Sequence, residues 1–127
     1  MAKSQNDLML DAAFDWVRAR VTGISVCSTQ PTTYDHAYTT YCLAKTAMTS
    51  TGLTIADATG ASGGRKVTIQ AKSAVSVIAS GTAAHIALFG STGATALLLV
   101  TTCTTQALTS GNTVNIPAWK DAIADAT

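Results

Sequence analysis

The chain contains no glutamate: all seven of its acidic residues are aspartates, set against eight lysines and arginines for a formal net charge of +1. Charged residues make up only 12% of it. That balance leaves no footprint for nucleic acid or anionic lipid, whose binders carry a concentrated basic patch. Scattered aspartates also give little from which to build the paired carboxylates of glycoside or phosphate chemistry. Long hydrophobic runs are missing as well, and the best candidate, Ala94 to Val100, is far too short to cross a bilayer. The start, Met1 to Asp7, leads into a stretch broken by Asp11 and Asp15 rather than into the apolar region of a secretory signal. Synthesis in a cytoplasm without export is the expectation. No CxxC occurs, so neither a zinc ribbon nor a thioredoxin-type site is supported. Cys27, Cys42 and Cys103 do not combine with His36 and His85 at finger or knuckle spacing, and neither metal nor cofactor is expected.

What is present is small and apolar. Alanine and threonine recur throughout the 127 residues, and 47% of them are hydrophobic, enough for one domain with a real core and against a disordered chain. A Thr, Ala and Ser surface with so few charges suits a subunit covered by its neighbours, because interface cores are depleted in charge. An odd cysteine count allows at most one internal disulfide. Two readings follow: buried free thiols, or inter-subunit disulfides drawn from Cys27, Cys42 and Cys103.

Asn6 or Asp7 can cap a helix running to about Val21, with Leu10, Ala13, Phe14, Val17 and Val21 forming one apolar stripe. Asp7, Asp11 and Asp15 lie toward its N-terminal end and Arg18 and Arg20 near its C-terminal end, which matches the helix dipole. Met9 and Trp16 widen the stripe. From Thr22 the period changes. Ile24–Cys27 reads as a strand, and Thr29–Thr33 as a turn or loop. The Thr-rich surroundings of Tyr34, Tyr38 and Tyr41 favour irregular or extended chain there. Leu53–Ile55 reads as a strand fragment followed by a Gly-rich loop. Arg65–Lys72 alternates as a strand before a turn at Lys72–Ala74, and Val75 and Val77 resume the strand pattern. His85–Phe89, Leu97–Cys103, Thr113–Ile116 and Trp119–Ile123 complete the set, with Pro117 marking an edge or a bend. Six to eight short strands with Gly and Ser turns predict a mainly β fold. The expected form is an antiparallel β-sandwich, immunoglobulin-like or jelly-roll-like, over 22–127, preceded by one N-terminal α-helix over 1–21.

No arrangement of nucleophile, acid and base stands out. Gly90-Ser91-Thr92-Gly93 is not a G-x-S-x-G elbow and sits between two strands. Gly60–Lys66 lacks the G-K-[ST] ending of a phosphate loop, and Arg65-Lys66 reads as a solvated hairpin shoulder. Asp35 and His36, adjacent on extended chain, would point to opposite faces. His85 opens an apolar strand and reads as a hydrogen-bonded core or interface histidine. Large aromatics supply much of the burial in so Ala- and Thr-rich a chain, and any exposed one is a good contact anchor. Met9, Trp16, Tyr34, Tyr38, Tyr41 and Trp119 are therefore the candidate interface residues.

The helix-then-strand opening, Ser28-Thr29-Gln30-Pro31-Thr32-Thr33-Tyr34, Gly63–Ile69, Gly81–Leu88 and Ser110–Ala118 together resemble small virion-associated structural proteins of tailed bacteriophages. The resemblance spans nearly the whole chain and rests on turns and strands, with no catalytic residues to carry over. It implies a non-enzymatic role on the particle, as a capsid decoration or cement protein or as a neck, collar or tail subunit. The partners implied are other virion proteins and copies of the chain itself, with a trimer favoured, and neither nucleic acid nor membrane. The alternative is a β-sandwich binding module on a tail or fibre that contacts host-surface carbohydrate, with Tyr34, Tyr38 and Tyr41 as its aromatic platform.

Overall fold

The computed structural model describes residues 7–57 and 65–123. Asn6, one of the two helix caps considered, and the Gly60–Gly64 turn lie outside them. Helix α1 (Asp7–Arg20) buries Phe14 and Val17, while Ala13 on the expected stripe is exposed. It ends one residue before the expected Val21. That β-branched residue instead opens strand β1 (Val21–Cys27), which is longer than the Ile24–Cys27 segment read from the sequence. The strands that follow are β2 (Cys42–Ala47), β3 (Leu53–Asp57), β4 (Arg65–Ile69), β5 (Lys72–Ser76) and β6 (Gly81–Gly90). β7 (Ala96–Leu108), β8 (Thr113–Ile116) and β9 (Trp119–Ile123) complete the set among the described residues.

All pairings are antiparallel, in a four-stranded sheet β2-β1-β6-β7, a three-stranded sheet β3-β4-β9 and a two-stranded sheet β5-β8. The fold is thus mainly β with one N-terminal helix, as expected. One face of the large sheet contributes Ile24, Val26, Ile86 and Leu88 to the main core. Leu53, Val67 and Ile69 from the second sheet, and Val75 and Ile116 from the third, meet them there, with Phe14 and Val17 of α1. Strand β1 lies inside the large sheet and is buried along nearly its whole length, with Ile24 and Val26 on the main core and the small residues Gly23, Ser25 and Cys27 on the other face. A bidentate ion pair ties α1 to β4: Arg65 Nε donates to Asp11 Oδ1 at 2.7 Å and Nη2 to Oδ2 at 3.2 Å. Arg65 is therefore a fastening for the helix rather than a solvated hairpin shoulder.

Two further sequence expectations need correction, and one strand lies where none is expected. The turn at Lys72–Ala74 is a bulge inside β5: the pairing with β8 shifts between Lys72 and Val75, and Ala74 takes φ +54° while its N–H donates to Asn115 Oδ1 at 2.9 Å. Tyr34–Tyr41 is helical rather than extended, closing a wide single turn over His36–Thr40 in which the Tyr41 N–H donates to the His36 carbonyl at 2.9 Å. Strand β2 was not anticipated at all, since Cys-Leu-Ala-Lys-Thr-Ala shows no clean alternation. Its pairing with β1 carries a register shift at Cys27, which breaks any regular alternation.

Candidate functional site

The large sheet has a second face, opposite the main core. Side chains of directly paired residues share a face, so Gly23, Phe89 and Leu97 form one row across it, and Ser25, Lys45, Ala87 and Val100 the next. The wide turn lies over this face and makes a small second core, in which Ala37 packs with Cys27, Ala87 and Phe89. Pro31 is buried ahead of the turn, and threonine contacts fasten it. The Thr32 N–H donates to His36 Nδ1 at 3.3 Å, and the His36 N–H donates to Thr33 Oγ1 at 3.2 Å. His36 is thereby a fastener of the turn, with its ring 4.7 Å from that of Tyr41. Asp35 and His36 lie on consecutive helical positions, and Nδ1 of His36 is occupied by Thr32.

Tyr34 and Tyr38, four residues apart on this turn, stack at 5.3 Å. Both meet the Phe89 ring edge-on, at 5.5 and 5.6 Å. The rim of the Phe89 ring packs against Gly23, the only residue type that leaves room for it at that position. The Lys45 ammonium donates to the Tyr38 carbonyl at 3.0 Å and sits 3.5 Å from the centre of the Tyr38 ring. Beside these groups opens a groove of about 360 Å³, walled by Tyr34, Tyr38, Lys45, Phe89, Thr22 and Ser91. A neighbouring hollow of about 390 Å³ shares Tyr34 and adds Asp35 and Leu97.

The other named residues are dispersed. Trp16 stands out from α1, 48% exposed, with the Arg20 guanidinium 4.3 Å from its ring. Trp119 packs against the main core with a buried Nε1 that has no partner among the described residues. The side chain of Met9 lies outside the described residues. Tyr41 is half-buried at the base of the wide turn, and His85, paired with Cys27, has a buried Nδ1 without a partner among the described residues. Cys27 and Cys42 are buried free thiols, and Cys103 is a half-buried one. Burial pushes all three thiols up, and Cys42 reaches about 11 through its burial first and the neighbouring Cys27 second.

One feature was missed in the sequence, the outer edge of the large sheet. β7 is its last strand and has no partner on its outer side among the described residues. It is 13 residues long and uncharged, within a stretch from Lys72 to Lys120 that holds no intervening Asp, Glu, Lys or Arg. Leu97, Leu98, Leu99 and Val100 are only half-buried, Leu98 and Leu99 against the main core and Leu97 and Val100 against the second. The opposite end of the sheet is not bare, since Ala44 of β2 bridges to Val77. The signal was the absence of charge downstream of Lys72. No protein-family model, curated protein or solved structure matches this chain.

Proposed function

We propose that this chain is a non-enzymatic structural subunit of a bacteriophage particle, assembling edge to edge with copies of itself on the particle surface as a decoration or neck-collar component. The virion part of this reading rests on the resemblance of its turns and strands. The assembly part is carried by one observation, the uncharged 13-residue edge of β7 with its four half-exposed apolar side chains. Proteins that stay monomeric guard such edges with lysine, proline, bulges or short strands; β7 has neither lysine nor proline, and between its two register shifts Leu99–Thr102 stay in unbroken register with β6. Two-fold antiparallel pairing places like residues near one another, which a charged strand resists and a neutral one does not. Pairing β7 with its copy would join two four-stranded sheets into one and cover Leu97–Val100. That geometry favours a dimer over the trimer.

Sedimentation velocity over a range of concentrations tests the assembly, with Thr102→Lys/Thr104→Lys as the control, since both side chains are exposed and the folded monomer tolerates them. The wild type should sediment as a dimer or larger and the variant as a monomer of unchanged circular dichroism. A wild type that is monomeric at every concentration overturns the assembly. Mass spectrometry of purified particles tests the location: the chain should copurify with them, and its absence overturns the virion reading.

The carbohydrate-binding alternative has one supporting feature, the groove beside Tyr38, whose side chain is 41% exposed. Its ring is engaged by Tyr34 and by the Lys45 ammonium, so a sugar stacking there would have to displace one of them.

A further inference from the structure

Cys27 closes β1 and Cys42 opens β2, and between them runs the whole lobe that carries Tyr34 and Tyr38. Their pairing depends on a bulge. Val26 faces Ala44, but Cys27 faces Cys42, so Leu43 is an extra residue on β2. Its side chain joins the main core, and its carbonyl accepts from the N–H groups of Ile78 and Ala79 at 2.8 and 3.2 Å. In uninterrupted register Cys27 would oppose Leu43. The bulge instead brings Cys42 to the second face, directly across from Cys27.

The hydrogen bonding defines which kind of pair this is. The Ser28 N–H donates to the Tyr41 carbonyl at 3.0 Å, one residue beyond Cys27 and one before Cys42. This bond flanks the pair instead of joining it, which is the pattern of a non-hydrogen-bonded antiparallel position. There the Cα atoms lie about 4.5 Å apart and the side chains are closest. Disulfides span Cα separations of about 4.4–6.8 Å. Each thiol now makes only weak contacts: Cys27 Sγ lies 3.5 Å from Ser25 Oγ, and Cys42 Sγ donates to the Ala44 carbonyl at 3.5 Å.

We propose that Cys27 and Cys42 form a dithiol site that closes to an intrachain disulfide across the neck of the 28–41 lobe, by exchange with a small-molecule disulfide such as oxidised glutathione. One cysteine gives its proton to solvent, and its thiolate attacks a glutathione sulfur. The S–S bond breaks and one glutathione thiolate leaves with the electron pair. The second cysteine, deprotonated in turn, attacks the protein-side sulfur of the mixed disulfide and expels the second glutathione. Two protein thiols are oxidised and one small disulfide is reduced to two thiols. Both thiols are buried and Cys27 packs with Ala37 of the wide turn, so the reagent reaches the pair when that turn lifts, and the closed bond then holds the lobe down. Burial also keeps the thiols protonated, which makes the exchange slow at neutral pH and faster as pH rises.

The test is oxidation of the full chain with oxidised glutathione at mildly alkaline pH, followed by alkylation and tryptic mapping. Cleavage after Arg20 and Lys45 leaves Cys27 and Cys42 on a single peptide, Val21–Lys45, and Cys103 on another. Val21–Lys45 should appear about 2 Da lighter than its reduced form and resist alkylation. The oxidised protein should melt about 10 °C higher than the reduced one, as a closed loop of this length predicts. Cys103→Ser should leave both results unchanged, and Cys42→Ala should abolish both. Full alkylation of Val21–Lys45 after oxidation, even in denaturant concentrations that loosen the turn, overturns the proposal. So does a disulfide joining Cys103 to either residue as the main product.

Discussion

The packing of Phe89 on Gly23 sets up a prediction that can be worked through. Gly23 is buried in β1 between Ala47 of β2 and Phe89 of β6. A methyl group at position 23 would collide with the Phe89 ring and come within 3.1 Å of the Thr46 carbonyl. Tyr34 and Tyr38 hold the ring edge-on, so swinging it into the neighbouring groove would break both contacts. Overpacking of this kind costs about 1–3 kcal/mol. Replacing a strand glycine by alanine returns about 0.5–1 kcal/mol through the unfolded chain. Gly23→Ala should therefore lose about 0.5–2 kcal/mol, although it adds buried carbon and removes a flexible residue. Phe89→Leu alone should cost about 1–2 kcal/mol in buried area and ring contacts. In the double variant leucine leaves room for the methyl, and the pair should be more stable than the sum of the two losses by about 1 kcal/mol. Urea unfolding of the four proteins measures each quantity. A Gly23→Ala protein as stable as the wild type, or strictly additive losses, would refute the argument.

Other consequences follow from the same contacts. Asp11→Asn keeps the shape but weakens a partly buried bidentate pair and should cost about 1–3 kcal/mol in denaturant unfolding. The Cys42 thiol is raised from 9.0 to about 11 in the fold, so its protonated form is favoured there. Its contribution is fully present below pH 9 and lost as pH rises through 11, a decline of about 2–3 kcal/mol. Cys42→Ser, which does not titrate in that range, should flatten that part of the stability profile. Trp16→Asp should leave stability within about 1 kcal/mol, since the ring is exposed and its cation contact with Arg20 is weak. Trp119→Asp should cost about 2–4 kcal/mol because that ring packs on the core, and thermal melts of the two variants separate these roles. On purified particles, Trp16→Asp is then the informative variant for surface contact.

Much of the fold was legible where local chemistry decides it. The Ser110-Gly111-Asn112 turn lies where the sequence put it, with Gly111 at φ +95°, and β8 and β9 follow at the expected residues. Where partners far along the chain decide, the sequence was silent. β2 exists because β1 pairs with it through the Leu43 bulge, and a one-residue shift of register leaves no trace in composition. β7 runs on past Cys103 to Leu108 because, beyond a register shift at Cys103–Thr105, β6 pairs with Gln106, Ala107 and Leu108, where apolar alternation had already stopped. Arg65 and Asp11 stand 54 positions apart, so their ion pair was invisible. Of the aromatic candidates, proximity in sequence found Tyr34 and Tyr38, but Phe89 entered their cluster only through the sheet.

Amide hydrogen exchange of β7 at low and high protein concentration tests the account most directly. The Leu97–Thr105 amides that point away from β6 should exchange freely when dilute and become protected as concentration rises, and Thr102→Lys/Thr104→Lys should remove that protection. Exchange at β7 that is the same at every concentration would contradict assembly through this edge.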